Sequence, residues 1–176
     1  MSAPPPEPPP PGPPSPRDQP LSRDALLAAA SGFSLELPIR FQDVDAAGII
    51  FFARVLDYCH DGYVGFLSAS GCPLHQTLAA GEWIAPLVHA EVDFIRPLRF
   101  GERVVVHLVA ARRRGSVYTI GYRLERPRDA ESTNGQRPGE VVAVAQTVHV
   151  VVDRRGFTRT APPEALQRAL TTLTPL

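Results

Sequence analysis

The sequence predicts an α+β domain: one long helix laid against a five-stranded, mostly antiparallel sheet. Three observations predict it. Phe52, Leu56, Cys59, Tyr63 and Phe66 recur at steps of 4, 3, 4 and 3, one stripe of an α-helix. Val55, Tyr58 and Leu67 broaden that stripe, so the helix is mostly buried. The rest of the chain reads as strands, one before the helix and four after it.

Taken in order, residues 1–32 form a Pro-rich extension. Residues 1–20 hold 11 of the 20 prolines and few large apolar side chains, which predicts disorder or local polyproline II. With no basic start and no apolar core, this segment does not read as a secretory signal. A short helix is expected over 22–30, capped by Ser22 and closed by Gly32. The domain proper is placed at 33–155. Alternation of Phe33, Leu35, Leu37 and Ile39 predicts a first strand over 33–41, with Pro38 at an edge or bulge. The long helix runs from the turn after Phe41 to about Ser70, and Gly71-Cys72-Pro73 ends it. Gly62 and Gly65 inside it predict close approach of another backbone. Residues 74–82 read as a loop or short helix.

Trp83–Ile95 is the clearest strand, with Val88, Ala90, Val92 and Phe94 on one face and His89, Glu91 and Asp93 on the other. Arg103–Ala110 follows, and Arg112-Arg113-Arg114-Gly115 reads as a basic turn. Val117–Glu125 places Tyr118, Ile120, Tyr122 and Leu124 inward. Residues 126–139 read as a long hairpin loop. Val141–Val152 is apolar on both faces, so one face is expected to meet the helix and the other a subunit partner. Exposure of Val141, Ala143, Ala145 and Val151 would be an association liability, which argues for at least a dimer. Residues 156–176 are read as a C-terminal tail with a short helix over 162–170.

The composition excludes several classes. Lys+Arg and Asp+Glu balance at 18 each, so no net field draws nucleic acid or an acidic membrane. No stretch is long enough to span a bilayer. Two cysteines make no disulfide framework, which suits a reducing, cytoplasmic setting, and both Cys59 and Cys72 read as small buried hydrophobes. The five His and two Cys show no metal-ligand spacing.

Two blocks carry chemistry. The first is Phe41-Gln42-Asp43-Val44-Asp45-Ala46-Ala47-Gly48-Ile49-Ile50-Phe51-Phe52 with the helix behind it. The second is Ala85-Pro86-Leu87-Val88-His89-Ala90-Glu91-Val92-Asp93-Phe94, followed by Pro97 and Gly101. On spacing alone, Asp43 and Asp45 fit equally well as turn or cap residues. Asp-x-Asp-x-x-Gly, an aromatic pair and a long helix together resemble the hotdog-fold thioesterases of the 4-hydroxybenzoyl-CoA type. The second block, with Cys59-His60-Asp61-Gly62-Tyr63, resembles the 1,4-dihydroxy-2-naphthoyl-CoA thioesterases of quinone biosynthesis. The resemblance covers residues 35 to 153. It implies a sheet wrapped around the helix, pairing of sheets between subunits into dimers and tetramers, and hydrolysis of an aromatic acyl-CoA by water with no metal or redox cofactor.

A thioester hydrolase needs a nucleophile or base, donors aimed at the developing oxyanion, and a slot for the acyl group. The resemblance places the catalytic carboxylate at Asp45, as nucleophile or as general base, and leaves Asp43 to support the loop by hydrogen bonding. It assigns the polarising donor to the backbone N–H of Phe52, at a helix start where donors are unpaired. Phe52 stands where some relatives carry Tyr or His, a change a backbone donor tolerates. Gly48 would admit close backbone approach; a turn needing positive φ explains it equally. The slot would draw on Phe51, Phe52, Trp83 and Tyr63, each of which also fits a core role. His89 is a candidate to line the site across a dimer interface, against a structural hydrogen bond. His60, between Asp57 and Asp61, fits a surface role better than a proton shuttle. Arg112, Arg113 and Arg114 are candidates for the CoA phosphates, with solvated turn charge the plainer reading and Arg54 the alternative. Competing readings are a thioesterase for 4-hydroxybenzoyl-CoA or an acyl carrier thioester, a non-catalytic acyl-CoA sensor, and a dehydratase. The sensor reading expects a missing acid, yet Asp45 is present. The dehydratase needs a His in the 41–52 corner, and none is there.

Overall fold

A computed structural model describes residues 20–128 and 139–176. The expected disorder of residues 1–19, and most of the expected 126–139 loop, lie outside the described residues.

The long helix α2 spans Arg54–Ala69 and buries Val55, Tyr58, Cys59, Tyr63, Phe66 and Leu67. This is the stripe the spacing predicts, with one correction: Phe52 precedes the helix and is 65% exposed. Ala53 caps it without a side-chain bond, so the apolar face does not extend back through the turn. Gly62 and Gly65 permit close approach, but of side chains rather than backbone. A Cβ at Gly62 would lie 2.9 Å from Val106 Cγ1, and one at Gly65 would lie 3.2 Å from the Phe33 ring.

The sheet has the order β1–β4–β5–β6–β3, antiparallel throughout. Its strands are β1 (Phe33–Pro38), β3 (Leu87–Phe94), β4 (Arg103–Arg114), β5 (Val117–Arg126) and β6 (Glu140–Val150). A sixth, β8 (Thr174–Pro175), joins β4 in parallel, so the sheet exceeds the five strands expected. Pro38 ends edge strand β1, where a missing donor costs no ladder bond to a further strand. The expected 33–41 strand stops there, because Phe41–Asp43 turns as a 3₁₀ helix. The expected 83–95 strand is two: β2 (Trp83–Ile84) pairs with β7 (Val152–Asp153), and Ala85-Pro86 separates it from β3. Pro86 has no N–H to carry a continuous ladder. Phe94, opposite Ala143 at the end of β3, is exposed.

Strand β4 runs on through Arg114, so the three arginines lie in a strand; the turn is Gly115-Ser116, with Gly115 at φ 59°. A bulge between Leu108 and Ala110 resets the pairing with β5. Val104, Val106 and Leu108 face α2, as do Tyr118, Ile120, Tyr122 and Leu124 of β5. Ala143 and Ala145 of β6 also face α2, and Val151 is buried in the same core. The association liability read from these residues is therefore met within one chain.

Part of the other face of the sheet is covered by the chain itself. Helix α1 (Arg23–Ala28) lies on it, capped by Ser22, whose hydroxyl accepts from Ala25 N at 3.2 Å. Its C-terminal boundary is Ala29, not Gly32. Leu21, Leu26 and Ala29 pack on Val109, Ala110 and Val144. Gln146 accepts from Leu21 N at 2.9 Å, and Arg123 donates to the α1 carbonyls, to Ala29 O at 2.7 Å. Residues 21–29 thus belong to the folded domain rather than to an extension. The C-terminal segment does too: α4 (Glu164–Leu170) and Leu173 contribute Leu166, Ala169 and Leu170 to the main core.

Gly121 makes the α1 seat possible, since a Cβ there would sit 2.3 Å from Leu26 Cδ2. Gly121→Val is expected to lower stability by about 1–3 kcal/mol through overpacking. Leu26→Ala in the same chain should return part of that loss. A double-mutant cycle by urea unfolding reads the coupling; additive losses would contradict the contact.

Candidate active site

The corner between β1 and α2 is built on a buried acid. Asp43 is fully buried and accepts from Arg40 N at 3.1 Å, Arg40 Nε at 2.8 Å and Tyr58 Oη at 2.6 Å. Burial alone would raise its pKa; the hydrogen bonds and charge of Arg40, with the Tyr58 bond, outweigh that and hold it below the usual carboxylate value. Burial and the carboxylate together push Tyr58 up to about 12. The supporting role expected of Asp43 is what the geometry shows.

Behind Asp43 the chain folds back through the pairs Val44–Ile50 and Ile49–Arg99. Asp45 opens the turn: its carbonyl accepts from Gly48 N at 2.9 Å, its N–H donates to Ile49 O at 2.9 Å, and its carboxylate accepts from Ala47 N at 2.8 Å. Gly48 closes the turn at φ 73°, in the left-handed region. Asp45 is exposed, so this carboxylate is both a turn residue and open to a reactant. Phe51 N donates to Asp43 O at 2.8 Å, while the Phe52 N–H has no acceptor among the described residues. A free donor therefore stands two residues before the start of α2, where the helix dipole is positive. Phe51 and Phe52 pack ring on ring at 4.5 Å, both exposed. Arg54 pairs with Asp57 at 2.8 Å on the helix surface.

A cavity of about 310 Å³ lies on the other side of α2. Leu56, His60 and Tyr63 of α2 line it, with Leu74, Thr77 and Leu78 of α3 (Leu74–Ala80), the Trp83–Leu87 segment, and Tyr122, Thr147 and His149 of the sheet. Trp83 is thus placed on the cavity wall, together with Tyr63 and His60. Asp45, Gly48, Phe51 and Phe52 are not on that wall within one chain. His89 faces away from α2 and pairs with Glu91 at 3.2 Å. Arg113 and Arg114 are exposed and Arg112 is half-buried, all near the β4–β5 turn and none on the cavity wall.

Three wall residues, Tyr122, Thr147 and His149, were not picked out as site candidates from the sequence. The signal was there: β6 from Val141 to Val150 is apolar except for Gln146, Thr147 and His149, and polar groups inside a buried strand need a purpose. His149 is stacked between Tyr63 (4.9 Å) and Tyr118 (5.0 Å). Burial drives its pKa down to about 4, against a smaller upward pull from the Ala85 carbonyl. The neutral ring is therefore what the fold holds. Because the folded value lies below the unfolded one near 6.5, the unfolded chain binds the extra proton first. Stability should fall as pH drops from 6.5 to 4, by about 3 kcal/mol in full, and level off below. Unfolding free energies of wild type minus His149→Gln across that window isolate the contribution; a flat difference would contradict it.

Among the described residues, no group of three or more His, Cys, Asp or Glu is placed to hold a metal ion. Cys59 and Cys72 are free and buried. No helix among the described residues is long and apolar enough to cross a membrane.

An antiparallel sheet around one long helix, an acid–glycine turn at the helix start and an apolar cavity beside the helix are the build of a hotdog thioesterase. The chain belongs to the thioesterase-like superfamily, whose family model matches residues 39–170. Among relatives, it is 34% identical over 132 residues to a 1,4-dihydroxy-2-naphthoyl-CoA hydrolase of Rippkaea orientalis, covering 75% of this chain and 90% of that one. It is 34% identical over 136 residues to the enzyme of that name from Synechococcus elongatus, covering 77% and 92%. A crystal structure of a 1,4-dihydroxy-2-naphthoyl-CoA thioesterase from Synechocystis superposes with a TM-score of 0.69 at 29% identity, over 79% of this chain and 95% of that one.

Proposed function

We propose that the chain hydrolyses an aromatic acyl-CoA to the free acid and CoA, with 1,4-dihydroxy-2-naphthoyl-CoA as its substrate. The observation that carries the reading is the cavity: about 310 Å³, walled by Tyr63, Trp83 and aliphatic side chains, of the size and character that bind small aromatic ligands. The names of the relatives supply the acyl group.

Asp45 is assigned the carboxylate role, attacking the thioester carbon or taking a proton from water. The unpaired Phe52 N–H is assigned the carbonyl oxygen, with Gly48 keeping the approach open. Asp45 and the cavity do not meet within one chain, so a second copy completes the site. Two features support a partner there. Edge strand β3 leaves one side unpaired and exposes Leu87, itself on the cavity wall, to 54%. Phe41, Phe51, Phe52 and Phe100 are all exposed around the Asp45 loop, an apolar patch that a partner would cover. A dimer through this surface is the assembly proposed. His89 on β3 is assigned to line the site across the subunit interface and Arg112–Arg114 to bind the CoA phosphates, and two unpaired cysteines suit a cytoplasmic setting.

The test is CoA release from 1,4-dihydroxy-2-naphthoyl-CoA, benzoyl-CoA and palmitoyl-CoA by the full-length protein. The reading expects kcat/KM highest for the bicyclic substrate and lowest for palmitoyl-CoA. Preference for palmitoyl-CoA, or binding of all three without turnover, would overturn it.

A further inference from the structure

We propose that Thr147 and Tyr122 form an acceptor patch on the cavity wall that takes a hydrogen bond from a phenolic hydroxyl of the acyl group, and so select hydroxylated aromatic acids and their thioesters. The proposal rests on the reading that this cavity holds the acyl group.

The argument is a count of hydrogens. The Ala85 carbonyl can only accept, so at 3.3 Å from His149 Nδ1 it fixes the ring hydrogen on that nitrogen. The ring is neutral, so Nε2 is an acceptor. Thr147 Oγ1, 3.1 Å away, must then donate to it. With its hydrogen spent, Thr147 Oγ1 accepts from Tyr122 Oη at 3.0 Å. Every hydrogen of the chain Tyr122–Thr147–His149–Ala85 is used internally. What it can still offer the cavity is lone pairs on Thr147 Oγ1 and Tyr122 Oη. A ligand meets such a patch well only by donating. A phenol can; an ether, a ketone or a bare ring edge cannot. The neighbouring polar groups on the wall have other partners: Tyr63 Oη pairs with Tyr118 Oη at 2.6 Å, and Thr77 Oγ1 donates to Pro73 O at 3.4 Å. His60 stands at the exposed rim. A buried acceptor left unmet by the wrong ligand is what makes polar recognition selective.

Calorimetric titration of the full-length protein with 1,4-dihydroxy-2-naphthoate and with 2-naphthoate reads the wall directly, without turnover. Wild type should bind the hydroxylated acid at least about tenfold more tightly, one hydrogen bond's worth. Thr147→Val should shrink that preference to within about twofold, Thr147→Ser should keep it, and Tyr122→Phe should reduce it. Equal affinity of wild type for the two acids, no binding of either, or an unchanged preference in both Thr147→Val and Tyr122→Phe would overturn the proposal. If Thr147→Val fails to fold, Tyr122→Phe decides. Selective binding of the hydroxylated acid without hydrolysis of its thioester would sink the enzymatic reading and leave this one standing.

Discussion

Asp45→Asn is expected to lower kcat/KM for the aromatic thioester by about 10²–10⁴-fold, the range for loss of a general base or nucleophile's charge. The fold should not notice. Asp45 is exposed, and its side chain makes one bond, from Ala47 N, which an Asn carbonyl oxygen can accept equally. Melting temperature and circular dichroism should therefore match wild type. Retention of more than about a tenth of wild-type kcat/KM would remove Asp45 from the chemistry.

The largest expected loss of stability is at the other acid. Asp43→Ala should cost about 2–4 kcal/mol. The substitution leaves the Arg40 N–H without its carboxylate acceptor and the Tyr58 hydroxyl with the Pro38 carbonyl at 3.0 Å alone, in a buried corner. The cost stays below that of a fully buried ion pair because the Arg40 side chain is half exposed and keeps its water. Activity should fall too, since Phe51 N–H hangs on the Asp43 carbonyl and the Asp45 turn follows directly. The pH dependence has a definite sign. The folded pKa of Asp43 is depressed, so its contribution is present above the ordinary carboxylate range and is lost as pH falls through the folded value. The wild type minus Asp43→Ala difference in unfolding free energy should therefore shrink on acidification. A loss under about 1 kcal/mol at neutral pH would mean that the corner is held by its backbone alone.

The readability of this chain from sequence followed physical lines. Helix α2 was legible because its stripe is long and periodic, and β5 because Tyr118, Ile120, Tyr122 and Leu124 alternate without interruption. The Asp43–Gly48 turn was legible from its residue types. What failed was tertiary. Nothing local says that Leu21 and Leu26 seat over Gly121, or that α4 enters the core, so both ends were read as tails. The same ignorance assigned β6's second face to a partner when α1 covers part of it. Phe52 was misplaced because helical spacing continues by chance into the turn before α2. The cavity wall escaped because His149, Thr147 and Tyr122 come from two strands and meet only in register. That Asp45 and the cavity do not meet within one chain could not be read from one chain's sequence at all.

Mixed-subunit complementation tests the central claim, a site shared between two copies, most directly. Asp45→Asn keeps the cavity and loses the acid; Ala85→Trp keeps the acid and fills the cavity. Each variant alone should be nearly inactive. Co-expressed, they should form mixed dimers with one intact site, the Ala85→Trp chain lending Asp45 to its partner's cavity, and recover about a quarter of wild-type activity at statistical pairing. If both variants are folded and dimeric and the mixture stays as inactive as its parts, the acid and the cavity do not act across a subunit boundary, and the account of the site is wrong.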